Sequence, residues 1–189
     1  MESQVFNKEA ALKNVMDSEE MLSELIGMFV THNIDETNIQ ILCDAVRNYD
    51  IATIFRKTHN LKSTSIYAGA QRLWEVIVEL LEFTRDVINT AIKDAYAKID
   101  NEWNNKITQR EVDNAINVVE LKKTIEPIST ILEKSDQNLY ERFVYHLAAE
   151  ILSLIESGKL NCIKPMTEKI LTEVSDYRDQ IKDIVHKKN

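Results

Sequence analysis

Apolar residues recur along this chain at steps of three and four and nowhere alternate over the length of a strand, so the pattern predicts helices throughout. A short first helix is expected from Asn7 to Met16, approached through Val5 and Phe6, with Ala11, Leu12 and Val15 on one face. Asp17 or Ser18 can cap a second, with Glu19, Glu20 and Glu24 toward its positive end. That helix continues through Met21, Leu22, Leu25, Ile26, Met28 and Phe29 to about Asn33. A third runs from about Asp35 to Asn48, with Ile39, Leu42, Cys43 and Val46 inward.

Asn48-Tyr49-Asp50 breaks the pattern, and Asp50 is placed to cap a fourth helix. There Ile51, Ile54, Thr58, Leu61, Ser65 and Ala68 make a buried stripe, while Ala52, Phe55, His59, Lys62, Ser63 and Ile66 fall on a different face. Gly69 follows, either ending the helix in a left-handed conformation or letting the next helix approach closely. Ala70 opens a long helix through Leu73, Trp74, Ile77, Leu80, Leu81, Val87, Ile88 and Ala91, with Glu75, Glu79, Glu82, Arg85 and Asp86 off the stripe. Antiparallel helices joined by short turns give an up-down four-helix bundle within residues 1–100.

Residues 101–189 read as a C-terminal helical domain. Ile92 to Asn105 is polar and continues the long helix into a linker. A helical pattern resumes near Thr108 with Val112, Ala115, Ile116, Val119, Leu121 and Ile125, and Pro127 can start a helix over Ile128 to Glu133. Ser135-Asp136 caps the next, which carries Leu139, Phe143, Leu147, Ile151, Leu154 and Ile155 up to a break at Ser157-Gly158. Pro165 lies near the start of a last helix bearing Ile170, Leu171, Val174, Tyr177, Ile181 and Ile184.

Composition narrows the picture. The chain has 189 residues, 44% of them apolar, with three Gly and two Pro, which suits an all-α protein with a sizeable core. A net charge of −8 disfavours nucleic acid, since no basic patch is available to displace counterions. Cys43 and Cys162 are far apart and read as ordinary thiols of a reducing compartment. No apolar run has signal-peptide length, and none approaches the roughly 18 residues of a membrane span, so a cytoplasmic protein is expected. His32, His146 and His186 lack metal-ligand spacing, and no His-Glu-x-x-His or Walker pattern occurs, so neither a metal site nor ATP binding is expected. Trp74 and Trp103 read as core and linker anchors.

The remaining chemistry gathers on the fourth helix. An ordinary imidazole has a pKa of about 6.5, so at neutral pH it keeps a nitrogen lone pair for attack. His59 faces outward with Lys62 one turn on, where a cation can steady phosphoryl oxygens. Arg56 and Lys57 either attract an acidic partner site or form a solvated face.

The run from Thr58 to Leu73 resembles the motif of histidine-containing phosphotransfer (HPt) domains, His-x-x-Lys-Gly-x-x-x-x-x-Gly-Ala followed by an apolar position. Here it reads His59, Lys62, Ser63, Gly69, Ala70 and Leu73, with Ser63 where the family usually has Gly and Thr58 where it usually has Ala. The resemblance covers roughly residues 6–90. It implies a phosphorelay carrier of two-component signal transduction, with His59 as phosphoacceptor and Lys62 stabilising the phosphoryl group. Phe55, Arg56, Ser63, Ile66 and Gly69 would then form the docking surface. The implied partners are response-regulator receiver domains, whose own Mg²⁺ holds the acceptor aspartate, and a sensor histidine kinase. The chain itself would need no cofactor and catalyse nothing alone.

Leu25-x-x-x-Phe29-Val30-x-His32 recurs as Leu139-x-x-x-Phe143-Val144-x-His146, and the position matching His59 falls near Glu168. The second half is therefore either a degenerate HPt-like bundle or a homodimerisation or docking module. The rival to the carrier is a helical scaffold for signalling proteins that keeps the bundle without the transfer.

Overall fold

A computed structural model describes residues 3–98 and 139–185. Among these every regular element is a helix, as the periodicity predicts: α1 (Lys8–Asn14), α2 (Glu19–His32), α3 (Glu36–Asn48), α4 (Ile51–Tyr67), α5 (Gln71–Ala97), α6 (Leu139–Glu156) and α7 (Ile163–Val185). The linker beyond residue 98, Trp103, the helices expected from Thr108 and Pro127, the Ser135-Asp136 cap and His186 lie outside the described residues. Among the described residues no helix is long and apolar enough to cross a membrane.

The ends of the elements follow from their residues. Asn7 caps α1, its side-chain oxygen accepting from the Ala10 N–H at 3.0 Å. Ser18 caps α2 by accepting from the Met21 N–H at 3.3 Å. Asp17, the other candidate cap, instead sits with Met16 in a left-handed turn (φ 59° and 52°), a conformation that Asp tolerates better than most residues. Tyr49 (φ 55°) reverses the chain after α3, and Asp50 caps α4, accepting from the Thr53 N–H at 3.0 Å.

The chain forms two compact units. One comprises Met1–Asp44, Arg56–Leu81 and Lys164–Asn189; the other comprises Ala45–Phe55 and Glu82–Ile163. All but the first residue of the last helix, α7, thus group with the N-terminal segments.

In the first unit the reason is visible around Tyr177. Its ring meets Phe6 at 5.8 Å and Phe29 at 5.6 Å, both edge-to-face, an arrangement that suits aromatic quadrupoles. Its hydroxyl donates to the Ala68 carbonyl at 2.8 Å, at the end of α4. Leu22, Ile26, Leu73, Ile77, Ile170, Val174 and Ile181 are buried in the same unit. Arg178 donates to the Ile34 carbonyl, and Arg72 pairs with the buried carboxylate of Glu173 at 2.6 Å. Met21 and Met28 are exposed, so the buried stripe of α2 is Leu22, Ile26 and Phe29, narrower than the apolar run in the sequence.

In the second unit Phe143, Val144, Leu147, Ala148 and Ile151 bury one face of α6, and Val87, Ile88, Ala91 and Ala95 bury the end of α5. Lys98 pairs with Glu150, and the Tyr49 hydroxyl donates to the Asn161 side chain at 3.3 Å. Gly158 (φ 72°) ends α6 at the expected break.

Candidate functional site

The histidine helix carries its chemistry on a face defined by what the opposite face buries. Ile51, Ile54, Thr58, Leu61, Ser65 and Ala68 are all buried, which fixes the rotation of α4 about its axis. His59 is therefore held outward and is exposed, well inside the helix and clear of its fraying ends. Ser63, one turn on, is also exposed; Lys62 and Ile66 are half-buried, and Arg56 is exposed. Phe55, a turn earlier on the same helix, is half-buried. Ala52, expected on this face, is buried instead.

The structure thus keeps His59, Lys62, Ser63, Arg56 and Ile66 on the accessible side of one helix. Gly69 does not share that surface. It is buried at φ +71°, where its carbonyl accepts from the Asn7 N–H at 2.7 Å. A Cβ there would lie 2.6 Å from the Asn7 carbonyl oxygen and 2.9 Å from Ala11 Cβ. Of the two roles open to this glycine the left-handed ending is realised, while the element that approaches it closely is the preceding α1 and not the following helix. Its contribution to the site is to end α4 and seat α1 on the turn.

The cations near His59 are in different situations. Lys57 donates to Asn38 Oδ1 at 2.6 Å, and the same Asn38 donates to the His32 carbonyl at 3.0 Å and to Asp35. This ties the start of α3 and the end of α2 to α4, so Lys57 is a structural lysine, a role that periodicity alone could not indicate. Lys62 has no carboxylate partner among the described residues, which leaves its ammonium able to meet an anion. Three and four residues after His59, Lys62 and Ser63 stand next to it on the helix surface.

Of the other histidines, His32 is exposed at the end of α2, and His146 is half-buried on α6 beside Tyr145. Burial, and then the charges of Lys98 and Arg142, hold the His146 imidazole below its ordinary pKa. Glu168, which falls near the His59 position in the internal echo, is an exposed carboxylate on α7. Among the described residues no group of three or more His, Cys, Asp or Glu side chains could hold a metal ion. Compared with protein-family models, with curated proteins and with solved structures, the chain matches none.

Proposed function

We propose that this chain is a histidine phosphotransfer protein, an HPt-like four-helix bundle that carries a phosphoryl group on His59 between receiver-domain aspartates. The observation that carries the reading is the exposed His59 on a helix whose whole opposite face is buried, with Lys62 and Ser63 on the following turn and Gly69 ending it. These are the positions of the HPt pattern, and in this fold the ones that need solvent and a partner are outward.

The transfer needs little from the chain itself. An imidazole ring nitrogen attacks the phosphorus of an aspartyl phosphate on the partner; the N–P bond forms as the phosphorus–oxygen bond to the aspartate breaks. The aspartate leaves as a carboxylate, and the ring keeps its other N–H as an imidazolium phosphoramidate. Such reactions are governed by positioning and charge neutralisation. Lys62 supplies positive charge to the phosphoryl oxygens, while the partner supplies Mg²⁺. Phe55 and Ile66 offer an apolar rim and Arg56 a cation for a docked receiver domain. Receiver domains and a sensor kinase are accordingly the proposed partners, and the proposed setting is the cytoplasm.

The test is phosphotransfer from a panel of phosphorylated receiver domains to wild type and to His59→Gln. Acid-labile label on the wild type alone supports the carrier. No label, from receivers that load a known HPt protein, favours the non-transferring scaffold.

A further inference from the structure

Three hydroxyl side chains follow Lys62 directly, and two are already engaged by their own helix. Thr64 Oγ1 donates to the Asn60 carbonyl at 3.1 Å, and the buried Ser65 Oγ donates to the Lys62 carbonyl at 3.1 Å. Ser63 differs from both. It is exposed, and its hydroxyl makes no hydrogen bond among the described residues. It stands four residues after His59, and a helical side chain leans toward the N-terminus, over the turn before its own Cα. The hydroxyl of Ser63 therefore overhangs the surface that His59 presents, and a short side chain loses little rotamer freedom on ordering there.

We propose that Ser63 is a second donor to the phosphoryl oxygens, beside Lys62, and that it lengthens the life of the phosphohistidine. The inference rests on the carrier reading above. Ser63 keeps its proton throughout: its O–H donates to a phosphoryl oxygen, and no bond to the serine forms. In hydrolysis the N–P bond of His59 breaks, a water oxygen bonds to phosphorus, and the ring returns to neutral imidazole as inorganic phosphate leaves. The transition state is loose and metaphosphate-like. In it the phosphorus has moved away from the ring toward the attacking water, and so away from Ser63, so a hydroxyl fixed on this helix holds the intact phosphohistidine better and slows its loss. A glycine at this position would leave space but give no donor. The serine makes this carrier a longer-lived store.

The experiment loads the full chain with phosphoramidate, a small donor that needs no partner: its P–N bond breaks, ammonia leaves, and the N–P bond to His59 forms. After donor removal, loss of acid-labile label is followed for wild type, Ser63→Ala and Ser63→Thr. The alanine variant is expected to lose label roughly two- to tenfold faster, the range of one hydrogen bond. The threonine variant, which keeps the hydroxyl, is expected to stay within about twofold of wild type on the same reasoning. Equal decay of wild type and alanine, or threonine decaying as fast as alanine, overturns the role of Ser63 and leaves the carrier standing. Absence of label from His59 in the wild type overturns the carrier and this inference with it.

Discussion

Replacing Tyr177 with phenylalanine keeps a ring between Phe6 and Phe29 and removes only the hydroxyl that donates to the Ala68 carbonyl at 2.8 Å. One such bond contributes about 1 kcal/mol net, and the buried carbonyl left without this donor raises the cost toward 1–3 kcal/mol. Tyr177→Ala also empties the space of a fully buried ring and is expected to cost about 3–5 kcal/mol. For a chain of this size each kcal/mol lowers the melting temperature by roughly 2–4 °C. Urea unfolding of the full chain, followed by circular dichroism, should show lowered midpoints at unchanged slope.

A second signature is alkaline. Burial pushes the Tyr177 phenol well above its ordinary value of 10.0. Below that value the phenol is neutral in both states. As the pH rises past it the unfolded chain ionises first, binds fewer protons than the folded chain, and stability falls. The phenylalanine variant should lack this part of the alkaline loss. Phenylalanine and alanine variants both as stable as wild type would refute the docking of α7 on this core.

Two other perturbations test separate parts of the structure. Gly69→Ala places a Cβ in a left-handed residue and against the Asn7 carbonyl; it is expected to cost about 2 kcal/mol or more and to be visible as a lowered melting temperature. His146, with its imidazole pKa held down chiefly by burial, should weaken the fold in acid, because below about 6.5 the unfolded chain binds a proton that the folded one resists. Urea midpoints measured on either side of that pH should converge in His146→Gln relative to wild type.

The histidine helix was readable in advance because its signals are local. The three- and four-residue spacing names six positions that are buried and misses only Ala52, Asp50 caps the helix, and a glycine at 69 marks its end. The outward placement of His59, Lys62 and Ser63 follows from that same period. What the period does not carry is the identity of a partner surface. The stripe of α7 was plain in Ile170, Val174, Tyr177 and Ile181, yet nothing in it says that Tyr177 meets Phe6, Phe29 and Ala68, more than a hundred residues away. For the same reason the spacing leaves Lys57 as a surface cation, without its bond to Asn38, and does not separate the exposed Met21 and Met28 from the buried Leu22, Ile26 and Phe29. Side-chain hydrophobicity sets a helix's inner face on average; the breadth of that face depends on neighbours that a one-dimensional pattern cannot name.

The carrier role of His59 is tested by following a single labelled phosphoryl group through loading and discharge. A phosphorylated receiver domain is mixed with the chain, the loaded chain is isolated, and an unphosphorylated second receiver is added. Acid-labile label is expected at His59 and then on the second receiver's aspartate, with neither step in His59→Gln. Label reaching the second receiver equally well through His59→Gln, or none reaching the wild-type chain from receivers that load a control HPt protein, would contradict that role.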